Sequence, residues 1–239
     1  MNKQFERTEL LIQKEGMEII KKANILVFGI GGVGGYVVEA LARSGISHFT
    51  LVDKDVVDIT NINRQIIATL DTLGQSKVEV MKNRILSINK DAKVETLQCF
   101  YLPENALEFD FSKYDYVVDC VDTVSAKISI IEQAKKNNVP IISAMGAGNK
   151  MHPEMLEVAD ISKTEVDPLA RVMRRELSKR GIKHLKVIYS KEKPVKNINE
   201  TIIDQKSGKP VVGSIAFVPS VMGLIMAGEI IKDLIGYKD

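Results

Sequence analysis

Only two cysteines occur in the 239 residues, Cys99 and Cys120. They are too few for a disulfide framework or a cysteine-based zinc site. Free thiols fit a reducing compartment, so a cytoplasmic location is expected. Both stand in apolar runs, "KVETLQCF" and "YDYVVDCVD", where an inert core role is expected over reactivity. No cysteine follows Cys120, so the second half offers no thiol nucleophile. Net charge is also scarce: at +2, the global balance is silent about partners. The amino terminus, "MNKQFERTELL", lacks an apolar signal core, so no secretion signal is expected. A membrane-spanning helix needs about 20 apolar residues in a row. The longest apolar region, "SIAFVPSVMGLIMAGEIIKDLIG", is interrupted by Glu229, Lys232 and Asp233, and no stable membrane insertion is expected. It reads as a buried or subunit-interface helix, split at Pro219, with Ser220 as N-cap and Gly236 just past its end. Internal repeats and low-complexity runs are missing too.

What is present is a regular alternation. "NILVFG", "HFTLVD", "KVETLQCF", "YDYVVDCVD" and "VPIISAMG" read as strands. Between them, "VGGYVVEALARSG", "KVEVMKNRILSINK" and "SAKISIIEQAKKNN" have helical spacing, the second with Val78, Met81, Ile85 and Ile88 on one face. Apolar strands alternating with helices imply a parallel sheet covered on both faces. Right-handed crossovers make it an α/β, Rossmann-like, doubly wound sheet. The expected nucleotide-binding part spans about 20–148, and a C-terminal α/β extension spans about 149–239, in one domain over 1–239. Within the extension, "EMLEVADIS" and "HLKVIYS" are strand candidates, and "DPLARVMRRELSKRG" is a helix with Asp167 as N-cap and Pro168 first. Residues 191–213 carry Pro194, Gly208 and Pro210 and read as a long loop.

"GIGGVG" puts Gly29, Gly31 and Gly34 in G-x-G-x-x-G spacing, with Gly32 inside it, between a strand and a helix. Such glycines allow the tight turn, the approach of phosphate oxygens and close helix–strand packing. The helix start offers N–H groups to an anion. Asp53 ends the next strand, where an acid accepts ribose hydroxyls. NAD, FAD and ATP all satisfy this pattern. "NINRQ" then adds Asn61, Arg64 and Gln65, and Lys77 begins the next helix. Arginine and lysine neutralise phosphate oxygens and amides orient them, which suits a triphosphate whose charge shifts during transfer. Asp119 and Asp122 in "DCVDT" fall at the end of the fourth strand, and Asp122 could hold Mg²⁺ against the phosphates.

From Leu169 to Asn197, ten Lys and Arg face only Glu176 and Glu192; the segment holds +8, leaving −6 elsewhere. Arg171, Arg174, Arg175, Lys179 and Arg180 lie on its helical part, and Lys183 follows it. Such a patch fits a polyanion such as RNA, or else a solvated helix face. Gly146 and Gly148 in "AMGAG" serve either substrate approach to the backbone or a simple turn.

The order "GIGGVG", Asp53 and Asp55, "TNINRQ", "GQSK", "DCVD" resembles the ThiF/MoeB/ubiquitin-activating-like adenylating enzymes over about residues 7–148. "GIGGVGGYVVEALARSGI", "TNINRQI", "ADISKT", "DPLA" and "FVPSVMGLIMAGEII" make the whole chain similar to the tRNA threonylcarbamoyladenosine dehydratases within that group. The resemblance implies that Asp53 binds ribose, Asn61, Arg64, Gln65 and Lys77 hold phosphates, and Asp122 binds Mg²⁺. It implies a homodimer in which Arg7 reaches the partner's ATP, although the usual R-x-x-R-Q segment is absent. Its substrate is tRNA bearing threonylcarbamoyladenosine, whose carboxylate is adenylated before a ring closes and AMP leaves. A sulfur or redox partner protein stays open. So do three other readings: an activator of a sulfur-carrier or ubiquitin-like protein, an NAD-dependent oxidoreductase, and a catalytically silent tRNA-binding protein.

Overall fold

The computed structural model describes residues 3–195 and 211–237, so residues 196–210 of the expected loop lie outside the described residues. The chain starts with helix α1 (Glu6–Lys22), interrupted at Gln13, whose φ is 61°. The alternation that follows is the expected one: β1 (Asn24–Phe28), α2 (Gly34–Ser44), β2 (His48–Val52), α3 (Lys77–Ile88), β3 (Lys93–Leu97), β4 (Tyr116–Asp119), α4 (Val124–Lys136) and β5 (Ile141–Ala144). Then come β6 (Leu156–Asp160), α5 (Pro168–Lys179), β7 (Lys186–Ser190) and α6 (Phe217–Ile235).

One seven-stranded sheet has the order β3-β2-β1-β4-β5-β7-β6. Every pairing is parallel except that of β6 with β7. The C-terminal extension is therefore continuous with the first sheet: β7 adds to β5, and β6 closes the edge. The winding reverses between β1 and β4. The chain runs outward through β2 and β3, then returns to the other side of β1. In such sheets the crevice at the C-terminal strand ends, at that reversal, receives ligands.

Side-chain alternation builds a core on each face. Ile25 and Val27 pack with α2, α3 and α6, while Leu26 and Phe28 pack with α4 and α5. On α3, Val78, Met81 and Ile85 are buried and Ile88 is partly so, matching the helical stripe. Asp167 caps α5 as expected, its carboxylate accepting the Ala170 N–H at 2.8 Å.

The last helix corrects the sequence expectation. It starts at Phe217, after Ala216, and runs through Pro219; Ser220 is not its N-cap. Pro219 lies in the first turn, where its missing N–H would have no intrahelical partner, so it does not split the helix. Gly236 does end it, in the left-handed conformation at φ 64°. Gly223 lets α6 cross the start of α2, since a Cβ there would stand 2.4 Å from the Val33 carbonyl oxygen. Among the described residues, no helix is long and apolar enough to cross a membrane.

Candidate active site

The glycine loop leaves β1 at the sheet's reversal point. Gly29 has φ 88°, and a Cβ on it would strike the Cys120 carbonyl oxygen at 2.8 Å. A Cβ on Gly34 would meet the Gly29 carbonyl oxygen at 1.9 Å. Any side chain at either position would push the loop off β4 or off the helix start. Gly31 differs: the nearest atom to its Cβ position is the Gln65 Nε2, at 3.8 Å. That leaves open backbone where phosphate oxygens can approach. Gly32 lies against Pro219 and the Arg64 stem, 3.3 and 3.5 Å from its Cβ position.

Asp53 pins this loop to the end of β2. One carboxylate oxygen accepts the Ile30 N–H at 2.6 Å and the other accepts the Asp55 N–H at 2.9 Å. Each oxygen keeps a second lone pair, so a ribose hydroxyl can still donate to Asp53. Asp55 faces Lys77, 3.3 Å away, and Lys54, at 2.8 Å. Burial pushes the Asp55 carboxyl up, but the two lysines outweigh it and hold its pKa below the ordinary value. The Lys77 side chain is only 7% exposed, at the first position of α3.

The "NINRQ" segment closes the site. Asn61 is buried, and its side-chain oxygen accepts the Asp58 N–H at 3.2 Å, capping a short 3-10 turn. Arg64 is half-buried and its guanidinium donates to the Thr60 carbonyl at 2.9 Å and the Asn63 amide oxygen at 2.8 Å. Desolvation lowers its pKa, as expected for a cation without a carboxylate. Gln65 is 7% exposed, and its Oε1 is buried with no partner among the described residues. The Ser76 hydroxyl, just before Lys77, is buried without a partner too. A buried polar atom normally has a partner. An orphaned oxygen on the side chain beside the open Gly31 backbone, with the Arg64 stem against Gly32 and a second orphan next to Lys77 at the start of α3, fits a polyphosphate ligand.

Across the cleft, the two acids of "DCVD" separate. Asp122 is exposed, its carboxylate accepting from the Thr123 hydroxyl at 3.5 Å and standing close enough to Lys54 to favour that ammonium's charge. Asp119 is fully buried against Lys127, at 2.9 Å. Lys127 was not foreseen from the sequence. Its signal was a lysine at the spacing of Ile130, Ile131 and Ala134, the buried stripe of α4. Among the described residues, no group of three or more His, Cys, Asp or Glu could hold a metal. A magnesium ion carried by phosphates needs only one or two carboxylates, and Asp122 fits that need.

Burial pushes the Cys120 and Cys99 thiols upward, so neither is a ready nucleophile. Gly146 and Gly148 are packed by the protein on the side where a Cβ would stand. A Cβ on Gly146 would meet the Asp167 carboxylate at 3.0 Å, and one on Gly148 would meet Val212 at 2.2 Å. Both glycines make room for the protein itself. The Asp167 carboxylate also meets Lys150, 3.3 Å away, with both side chains buried.

Arg7 is exposed on α1 and is not brought to this cleft: Phe5, two residues before it, packs near Gly45, where α2 ends away from the glycine loop. The basic helix is partly self-neutralised. Glu176 takes Arg175 at 3.2 Å, Lys179 at 2.8 Å and Arg180 at 3.2 Å, which holds its pKa down to about 2. Arg180 also pairs with Glu132 at 3.3 Å. Arg174 donates to the Thr164 carbonyl and hydroxyl, at 2.5 and 2.7 Å. Arg171 and Lys183 are exposed and make no ion pair among the described residues.

The model of the ThiF family matches residues 5–239. A Bacillus subtilis (strain 168) protein named tRNA threonylcarbamoyladenosine dehydratase is 46% identical over 240 residues, covering 97% of this chain and 94% of that protein. The Escherichia coli tRNA N6-threonylcarbamoyladenosine dehydratase, TcdA, has been solved with ATP; it matches with a TM-score of 0.88 at 32% identity, over 98% of this chain and 94% of that one. The same enzyme with AMP matches with a TM-score of 0.87 at 33% identity, over the same shares.

Proposed function

The chain belongs to the ThiF family, and on that premise we infer that it is an AMP-forming enzyme that dehydrates N6-threonylcarbamoyladenosine in tRNA at the expense of ATP. The observation that carries the chemistry to this chain is the cradle itself. The open Gly31 backbone has the Gln65 side chain beside it, the Arg64 stem lies against Gly32, and Lys77 stands by Asp55 past the neighbouring end of β2.

In the first step, a carboxylate oxygen of the threonylcarbamoyl group attacks the α-phosphorus of ATP. The bond to the β-phosphate bridge breaks, and pyrophosphate leaves with that electron pair. In the second, the neighbouring carbamoyl group attacks the activated carbonyl carbon and closes a ring, gives up an N–H proton to solvent, and AMP departs with the former carboxylate oxygen. The net change in the nucleoside is loss of one water. Neither step needs an enzyme nucleophile, in keeping with two thiols held protonated by burial.

Residue roles follow from placement. Gly29, Gly31, Gly32 and Gly34 shape the phosphate loop, and Asp53 takes the ribose. Asn61, Arg64, Gln65 and Lys77 grip the phosphates, with Arg64 and Lys77 stabilising the charge that develops there. Asp55 holds Lys77 until phosphate replaces it. Asp122 holds Mg²⁺, which when bound neutralises phosphate oxygens.

Arg171 and Lys183 supply free charge for the tRNA backbone, and Arg175, Lys179 and Arg180 exchange their carboxylate partners for phosphates. Arg174 is better assigned to holding α5 against Thr164. A homodimer is supported by Leu10 and Leu11, 79% and 83% exposed on α1 beside Arg7. In it, Arg7 enters the partner's site. We read 1–239 as one catalytic unit working in the cytoplasm, where its tRNA substrate resides.

The test is nucleoside mass after incubation with ATP, Mg²⁺ and tRNA bearing threonylcarbamoyladenosine. An ATP-dependent loss of one water is expected. Unchanged mass, with ATP–pyrophosphate exchange driven by a carrier protein, would favour the carrier-activating alternative.

A further inference from the structure

Asp122 stands on a short turn between β4 and α4, and the residue just before it is clamped from both sides. The Val121 N–H donates to Asp119 Oδ1 at 3.2 Å, and the Val121 carbonyl accepts from Lys127 Nζ at 3.0 Å. The same Lys127 ammonium lies 2.9 Å from Asp119 Oδ2, and both side chains are 0% exposed. Ser143 on β5 completes the set, its hydroxyl donating to Asp119 Oδ2 at 2.5 Å. The Lys127 N–H donates to the Thr123 carbonyl at 3.0 Å, so the turn is tied on its far side as well.

Neither charge reaches the cleft, so neither touches a ligand. Stability alone is a weak reason for them, because well-packed apolar residues commonly replace a buried ion pair without loss. What an apolar pair could not do is satisfy the backbone N–H and the carbonyl of Val121 at once. The two peptide units that carry them flank Val121 and set the direction in which the next residue leaves the sheet.

We propose that Lys127 is a positioning residue which, through Asp119 and the backbone on both sides of Val121, aims the Asp122 carboxylate at the Mg²⁺ carried by the triphosphate. The inference rests on the assignment of Mg²⁺ to Asp122. Lys127 acts on that site as outer-shell groups act on metal ligands, by fixing their orientation.

The test uses the full chain carrying Asp119→Asn together with Lys127→Met. This pair keeps the shapes and an acceptor for the Val121 N–H but removes both charges and the lysine's hydrogen bond. Calorimetric titration with ATP, with and without Mg²⁺, is compared with wild type and with Asp122→Asn. The expected result is unchanged Mg²⁺-free ATP affinity and about a tenfold loss of the Mg²⁺-dependent gain, the scale of outer-shell effects. The Mg²⁺ concentration for half-maximal AMP release should rise in parallel.

A folded double variant with wild-type Mg²⁺ linkage, beside an impaired Asp122→Asn, would overturn the positioning role and leave Asp122 in place. An Asp122→Asn variant with wild-type linkage would remove the metal assignment and the inference with it. If the double variant does not fold, Ser143→Ala makes the decision: it loosens Asp119 alone, and an unaltered Mg²⁺ linkage there overturns the proposal.

Discussion

At the end of β2, Lys77 meets Asp55 at 3.3 Å with the lysine side chain 7% exposed and the aspartate 46% exposed. At the end of β4, Lys127 meets Asp119 at 2.9 Å with neither exposed. The residue types are the same, and the strand ends flank the same glycine loop. The difference lies in water. Asp55 is half solvated, so a phosphate can take its lysine at small cost while the carboxylate rehydrates. Asp119 has no water to return to, so Lys127 cannot leave it without stranding a buried charge. One pair can release its cation to a ligand; the other is locked to backbone and shapes the turn instead.

Single substitutions separate the two pairs. Lys127→Met strands Asp119 and should cost about 3–5 kcal/mol, read by urea unfolding. A loss below 1 kcal/mol would mean that the sealed pair is not sealed in solution. Lys77→Ala should lower AMP formation by about 10²–10³-fold, the usual penalty for losing a group aimed at developing charge. Its unfolding midpoint should stay near wild type because Asp55 can hydrate. Wild-type turnover would dissolve the contrast from the catalytic side.

A third buried carboxylate extends the comparison to pH. Glu39 is 8% exposed, between Arg84 at 2.6 Å and Arg43 at 2.7 Å. Burial raises its pKa, but the two arginines outweigh burial and bring it below the ordinary value. As pH falls, the unfolded chain binds this proton first. The stabilisation is therefore complete above the unfolded value of about 4.3 and fades as pH drops through the lower folded value. Wild type should exceed Glu39→Gln by about 1–3 kcal/mol at pH 7, with the gap closing below about pH 4. A gap that persists at pH 3 would break this account. The smallest effect belongs to the surface. Arg171→Gln with Lys183→Gln should weaken tRNA binding severalfold and flatten its logarithmic salt dependence by about 2. An unaltered slope would return these residues to ordinary solvated charges.

How legible each part was in the sequence depended on how local its cause is. The phosphate loop was readable because glycine spacing at a strand–helix turn is a backbone property. The α6 start was misplaced for a similarly local reason. Ser220 is a good N-cap type and Pro219 a good breaker, yet Pro219 three residues into a helix costs no internal hydrogen bond. Gly146 and Gly148 read equally as substrate room or as a turn, and only packing revealed Asp167 and Val212 against them. Asp122 was singled out in "DCVD" for Mg²⁺, but nothing in the sequence showed that Asp119 is sealed against Lys127, because a strand's alternation says which faces differ but not which one a lysine will reach. The basic segment was counted as ten cations, whereas folding puts Glu176 against three of them and Thr164 against a fourth.

The sequence by itself determined the doubly wound sheet, the phosphate loop and the order of the site residues. Those follow from apolar periodicity, glycine and short-range spacing, all written along the chain. Tertiary structure alone decided that Asp119 is sealed by Lys127, where Arg7 stands, and which arginines stay free. Those depend on solvent access and on partners tens of residues distant, such as Ser143 for Asp119. A charge acquires its role from the dielectric and the neighbours around it, and neither is a property of its position in the chain.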